Sequence, residues 1–370
     1  MSAARPRVLV RKVTDIAAAV TEALEFLDYD FAGKKVWVKP NLLSPHPPEH
    51  SVTTNPELIR QVVRGLKARG AGKVWVADNP GGGLQRNVAD YIAPTGVIEA
   101  SEGCFHSLTE TPVTLPLKSR FLNQIHASHL VTEADVILNL PVFKTHALTI
   151  LTGAIKNLFG IIPGGQKSHL HTLARSGEEF GELLVDIYQA VPVPVLSIMD
   201  ALRGMDGQNG PSGGRVRNIG RIITATNPAA LDVVMAAMAG ADPVRIPTVR
   251  IAAERGLGPA ALSQVEVIGD FERIPGFRLP STRLAGSLTG ISSAIAYPLL
   301  RRRPTLDRQH CTKCRRCADN CPARAIAMSP FPDVDRRKCI MCYCCVELCP
   351  ERAMRIPGLA RGLVQNLFGR

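Results

Sequence analysis

Eight cysteines after residue 310 stand at spacings that can do chemistry. CTKCRRCADNCP carries Cys311, Cys314, Cys317 and Cys321 ahead of Pro322, and CIMCYCCVELCP carries Cys339, Cys342, Cys345 and Cys349 ahead of Pro350. Each run is C-x2-C-x2-C-x3-C-P, a spacing that holds [4Fe–4S] cubanes. Three thiolates on a tight loop cap three irons on one face, and the fourth, carried to a proline, is directed at the other cluster. One cluster is thereby assigned to Cys311, Cys314, Cys317 and Cys349. A second falls to Cys339, Cys342, Cys345 and Cys321.

An internal repeat supports the assignment. A shift of 28 residues lays Asp307, Arg308, the four cysteines of the first run, Pro322, Arg324 and Ala325 on identical types. The same shift selects Cys345 over Cys344 and leaves Cys344 spare. Two matching halves are what an exchange of fourth ligands about a pseudo-dyad requires. Structural zinc pairs two C-x2-C units and needs neither the third cysteine nor the C-P ending. The stretch resembles a bacterial-type ferredoxin module with two [4Fe–4S] clusters, a small α+β ferredoxin-like domain.

Composition bounds the rest. The chain has 370 residues, 45% of them hydrophobic, enough for a large core and a small module. Nine of the ten cysteines follow residue 310, unlike the spread of a disulfide-built secreted protein. MSAARPRVLVRKV runs directly into a strand pattern without a secretory leader, so the expectation is a reducing, cytoplasmic setting. The net charge is +12, and residues 301–370 hold 15 Lys+Arg against 6 Asp+Glu. Each oxidised cluster carries about −2, so much of that excess offsets the clusters. Aromatics are 5% and no basic–aromatic alternation occurs, which excludes a nucleic-acid reader.

The elements that must serve this module lie before it. Apolar runs at 7–11, 34–41, 72–83, 134–146, 194–204, 221–227 and 265–270 read as strands. Helical patterns at 14–28, 58–69, 147–159, 229–239 and 246–255 alternate with them. This alternation predicts an α/β domain over 1–283, a large mostly parallel sheet with helices on both faces. Segment 284–303 connects it to the ferredoxin-type domain at 304–357, and 358–370 is an amphipathic tail.

In such sheets ligands bind where strand carboxyl ends meet the next loops. Lys39, Asn41, Asp78, Asn79, Gly81–Gly83, Lys144, His146, Asp200, Arg203, Asn227 and Asp232 fall at those ends. Lys156 and Asn157 close the following helical stretch, and IIPGGQKSH (161–169) reads as a Gly-rich turn bearing Lys167, Ser168 and His169. Lysines, histidines and such turns point to a pocket for a carboxylate or phosphate. The segments KPNLL (39–43), FKTHALTILTGAIKNLFGIIPG (143–164), MDALRGMDGQNGPSGG (199–214) and NPAALDVVMAAMAGADP (227–243) resemble the iron–sulfur-associated family called domain of unknown function 362. The resemblance implies that Lys39, Asn41, Lys144, His146, Lys156 and Asn157 share a pocket, and it supplies no reaction.

Other patterns carry less. His46-Pro-Pro-Glu49-His50 spells a zinc-peptidase motif, but Pro47-Pro48 opposes the helix it needs. Gly160 to Ser168 approximates a P-loop with its lysine one residue late. His169 and His171 form a metal-chelating pattern that a polar turn explains equally well. Residues 284–300 hold no charge and precede Arg301–Arg303; they read as a helix packing the two domains, with a membrane-surface anchor and a linker as the alternatives.

The resulting expectation is an iron–sulfur protein with two [4Fe–4S] clusters. It is a ferredoxin-dependent oxidoreductase relaying single electrons to an anionic substrate or cofactor held by Lys39, Asn41, Lys144, Lys156 and Asn157. His146 would deliver protons, since an ordinary imidazole titrates nearest neutrality. The partners are an electron donor or acceptor protein such as a ferredoxin, and peripheral membrane contact accompanies the cytoplasmic expectation. The alternative is a non-catalytic electron carrier whose α/β domain docks a partner enzyme.

Overall fold

β-Branched and apolar runs form the strands, and the pairing decides which faces they bury. The computed structural model describes residues 4–81, 87–108, 112–280, 302–358 and 362. Its strands up to residue 269 are β1 (Arg7–Lys12), β2 (Lys35–Pro40), β3 (Lys73–Val76), β4 (Val113–Pro116), β5 (Gln124–Ala127), β6 (Val136–Leu140), β7 (Val142–His146), β8 (Ile150–Leu151), β9 (Val195–Asp206), β10 (Arg215–Ala225) and β11 (Glu266–Gly269). Nine build one sheet in the order β11-β1-β10-β9-β6-β2-β3, with β7 beside β9 and β8 beside β7. The pairs β11/β1, β9/β6, β6/β2, β2/β3 and β7/β9 are parallel, and β10 runs antiparallel to both its neighbours. β4 and β5 pair only with each other, as a hairpin off the sheet.

Both faces are covered, as the mostly parallel order requires. Val36, Val38, Val136 and Leu138 face one way, against the helices Ile16–Phe26 and Pro56–Ala68. Trp37 and Ile137, one residue out of phase, face the other way with Leu183, Leu184 and Ile187 of the helix Gly177–Ala190. Helix Pro228–Met238 is buried along its whole length, beside β1 and β9.

Three local readings change. The run 134–146 is two strands parted at Pro141, and β7 slides beside β9 with an irregular register. The stretch 147–159 is not one helix: Ile150 has φ +70° within β8, and the helix begins at Gly153, also left-handed at φ +72°. A Cβ at Gly153 would stand 2.5 Å from the Asp232 carboxylate, which caps that helix through the amides of Ala154 and Ile155. The Gly-rich turn at 161–169 is largely helix, Gly164–Leu173, preceded by the 3-10 turn Leu158–Ile161. Segment 284–300, the Arg301 that follows it, Gly82, Gly83 and most of the tail lie outside the described residues.

The small module is built twice. Helix Arg316–Asp319 corresponds to Cys344–Glu347, and β12 (Thr305–Leu306), β13 (Ile326–Met328), β14 (Pro332–Val334) and β15 (Met354–Arg355) pair as β12/β15 and β13/β14. The loop after β9 receives it. Ser212 Oγ donates to Val346 O at 3.3 Å, and Asn209 Oδ1 accepts from Ile356 N at 2.7 Å. Ala147 of the large domain lies within the module's own apolar cluster with Cys317, Tyr343 and Val346.

Candidate functional site

The structure brings Cys311, Cys314, Cys317 and Cys349 around one cavity of about 330 Å3, mouth included. Cys321, Cys339, Cys342 and Cys345 surround another of about 320 Å3. The repeat has a conformational counterpart that explains these cradles. Lys313, Arg315 and Arg324 adopt φ of +57°, +64° and +48°, and 28 residues on Met341, Tyr343 and Arg352 adopt +57°, +62° and +52°. Left-handed backbone costs a non-glycine residue of order 1 kcal/mol or more, so six such residues need a local return. Tight turning of each cysteine loop is that return. Ala325 N donates to Cys321 Sγ and Ala353 N to Cys349 Sγ, both at 3.2 Å and again 28 residues apart.

Cys317, Cys339 and Cys345 resist ionisation where they stand, whereas a hydrogen bond with Cys344 holds the Cys342 thiol below its ordinary value. Burial pushes Cys317 up to about 11, with Cys349 and Cys314 adding to it, and burial plus neighbouring thiols raise Cys345 likewise. Four gathered thiols with amide donors to sulfur lack a central positive charge, which iron supplies. Such a cradle fits an iron–sulfur cluster.

A second kind of cavity, about 700 Å3 with its mouth, lies between the module and the carboxyl ends of β2 and β3. The large domain contributes Asn41, Asp78, Lys156, Asn157, Lys167 and His171 to its wall, and the module contributes Asn320, Cys344, Glu347 and Leu348. Lys39 and Lys144 do not line it; they hold its wall. Lys39 Nζ pairs with Asp78 Oδ1 at 2.8 Å, both buried, and Asp78 also accepts from the amides of Leu42 and Asn79. Lys144 Nζ donates to Asn41 Oδ1 at 2.5 Å and to Val52 O at 2.7 Å. Asn157 Nδ2 donates to Asn139 Oδ1 and the Pro40 carbonyl, tying the helix end to β2 and β6. Gly160 makes this closeness possible, since a Cβ there would stand 1.9 Å from Asp78 Oδ1 and 2.5 Å from Lys39 Nζ.

Burial lowers the amines around the pocket. Lys144 and Lys167 fall to about 7, and Lys156 and Lys39 shift the same way, Lys39 despite Asp78. Lys167 Nζ donates to Asn79 O. Lys156 has no hydrogen bond or ion pair among the described residues and lies 6.0 Å from the Phe180 ring centre.

His146 is not at the wall, which corrects the expectation that it delivers protons there. Its Nδ1 accepts from the amides of Leu148 and Thr149 at 3.2 Å, so the ring proton sits on Nε2. That nitrogen approaches Glu347 Oε1 at 2.9 Å, off the line of a full hydrogen bond. Burial holds His146 down at about 4, hence neutral, and for Glu347 the attraction of His146, Lys156 and His171 outweighs burial and holds the carboxyl at about 2. His146 thus stands behind Glu347 as a contact between domain and module. The histidine at the wall is His171, stacked on Phe180 at 4.4 Å with its Nδ1 buried and unpartnered. The sequence offers His171 only as half of a metal-chelating pair with His169, and it gives no sign of Glu347. The signal for His171 is the K-S-x-x-H spacing, which puts Lys167, Ser168 and His171 on one helical stripe.

The profile described as domain of unknown function 362 matches residues 36–237, over half of the chain. The chain belongs to that family. A 4Fe-4S dicluster domain matches residues 303–350. Thylakoid-associated protein sll1697 of Synechocystis sp. is 33% identical over 236 residues, 62% of this chain and 70% of that protein. The solved lactate racemase apoprotein from Thermoanaerobacterium thermosaccharolyticum aligns over 61% of this chain and 56% of that one, at 18% identity and a TM-score of 0.38. In this member of the domain of unknown function 362 family, KPNLL supplies Lys39 and Asn41 of the pocket framework. Its MDGQNGPSGG stretch supplies Asn209 and Ser212, which receive the dicluster module. Among the described residues no helix is long and apolar enough to cross a membrane.

Proposed function

We propose that the protein is an iron–sulfur oxidoreductase whose one-electron chemistry serves an anion bound between the dicluster module and the α/β domain. In this reading Cys311, Cys314, Cys317 and Cys349 hold one [4Fe–4S] cluster and Cys339, Cys342, Cys345 and Cys321 a second. Such clusters supply single electrons when bound. The observation that carries the reading is the position of the pocket. Cys344 stands between Cys342 and Cys345, and Asn320 immediately precedes Cys321, and both line it.

Lys156 and Lys167 would hold the anion, since both line the cavity, Lys156 without a hydrogen bond or ion pair among the described residues and Lys167 with one hydrogen bond, to Asn79 O. Asn41 and Asn157 form its polar wall, and Lys39 and Lys144 keep that wall in place. His171, which burial lowers to about 4 and holds neutral, would offer the ligand a hydrogen bond from the pocket wall. The electron partner would be a protein such as a ferredoxin, approaching the module at Cys314, which is exposed. The name of the Synechocystis relative, a thylakoid-associated protein, supports a peripheral membrane contact in this reading.

The test uses the full chain, purified and reduced without oxygen. Iron and sulfide should each count about eight per chain, with interacting paramagnetic signals from two clusters. A panel of small carboxylates and phosphates should then contain a compound that reoxidises the reduced protein. Lys156→Ala should abolish that reoxidation with iron content unchanged. Equal reoxidation in both proteins, or none by any small anion, would sink the proposal and favour an electron carrier with a docking domain.

A further inference from the structure

The donors and charges of the pocket narrow its ligand to one chemical class, an inference that rests on the proposed anion site. Gly164, Lys167, Ser168 and His171 all line the pocket, at positions i, i+3, i+4 and i+7 of the helix Gly164–Leu173. That spacing makes one face of a helix. The face is polar where a core-packing helix would be apolar. No side chain caps the first turn, in which Gln166 N donates to Pro163 O at 3.2 Å while the amides of Gly164 and Gly165 are left for other acceptors. Two independent observations point to a ligand in the same cavity. Lys156 lacks any hydrogen bond or ion pair among the described residues, and His171, 7% exposed, keeps its Nδ1 buried and unpartnered.

The donors can be counted against candidate anions. Lys156 offers three N–H groups, Lys167 two beyond the one given to Asn79, and Ser168 and His171 one each. A carboxylate accepts at about four lone-pair sites, whereas a phosphate brings three strong acceptor oxygens and about −1.5 to −2 charge. Two ammonium groups with that many donors match phosphate. The charges also give a direction. Glu347 acts on Lys156 and His171, while Lys167 feels Asp78, Lys39 and Lys156. Asp78 is neutralised by Lys39 at 2.8 Å, so the Lys167 end of the stripe is the one without an uncompensated acid.

We propose that the pocket takes a small phosphorylated molecule, its phosphate between Lys156 and Lys167 against Gly164 and Ser168, and its body extending past His171 toward Glu347 and Cys344. The part of the ligand nearest the Cys321, Cys339, Cys342 and Cys345 cradle is then the body, away from the phosphate.

Equilibrium dialysis of labelled inorganic phosphate against the full, cluster-loaded chain tests this, with acetate as competitor. Phosphate should bind and an equal concentration of acetate should not displace it. Lys167→Met should weaken binding about tenfold or more, the scale of a lost charge-assisted hydrogen bond. Ser168→Ala should weaken it a few-fold, and Glu347→Gln should leave it unchanged or tighter. Displacement by acetate, absence of binding, unaltered binding in both Lys167→Met and Ser168→Ala, or weaker binding in Glu347→Gln would each overturn the proposal. The dialysis reads no electron transfer, so its failure is separable from failure of the reductase reading.

Discussion

Raising the pH should strip the pocket of its anion, and the steepness follows from Lys167. Burial lowers its amine to about 7, with Lys39 and Lys156 adding repulsion. A bound anion beside it favours the charged form and returns the amine toward its ordinary value near 10.4. The bound-state pKa is therefore the raised one. The anion's extra affinity is fully present below the free-state value of about 7 and is lost as pH rises toward the bound-state value. In that window binding takes up a proton, and each pH unit costs about 1.4 kcal/mol, or a factor of ten. Between pH 7 and 9 affinity should fall about fiftyfold, since the free amine is already half charged at pH 7, and further because Lys156 is shifted the same way. Calorimetry in buffers of differing ionisation enthalpy, run every half unit from pH 6 to 9, measures both affinity and proton uptake. Lys167→Met should bind more weakly with a shallower dependence. An affinity that is flat or rising from pH 7 to 9 would refute the assignment of this lysine to the anion.

Three further outcomes are expected from the packing. Lys39→Met leaves Asp78 as a buried, unpaired charge and should cost about 3–5 kcal/mol in chemical denaturation of the loaded protein; a loss below about 1 kcal/mol would mean that water reaches Asp78. Cys345→Ala should cut iron and sulfide to about half, whereas Cys344→Ala should leave both counts unchanged, read by elemental analysis after anaerobic purification. Vesicles containing anionic lipid should co-sediment the full chain more than neutral vesicles do, and equal recovery from both would remove the membrane contact.

What is legible in the chain is what lies close along it. The cysteine loops declare themselves because a cubane fixes the spacing of its thiols locally, and the strands because two buried faces put unbroken apolar runs in β2 (Val36–Val38) and β6 (Val136–Leu138). Strand ends lead to Lys39, Asn41 and Lys144, but their types cannot tell a side chain that faces a cavity from one spent on its neighbours. Lys39 is consumed by Asp78 and Lys144 by Asn41, contacts set by pairing across 39 and 103 residues of sequence. Gly164-Gly165 reads as a turn on composition, yet the two glycines open a helix, and that reading hides the polar stripe. Glu347, Asn320 and Cys344 are invisible as pocket residues because only docking of the module on the loop after β9 brings them there.

That docking has a consequence for assembly. The wall formed by Asn320, Cys344 and Glu347 is threaded among the cysteines that line the two cradles. A chain without the proposed clusters would loosen that wall, and with it the contacts to the body of the ligand, while the phosphate end stays on the large domain. Full contact with the proposed ligand would then be a property of copies whose module is assembled and docked.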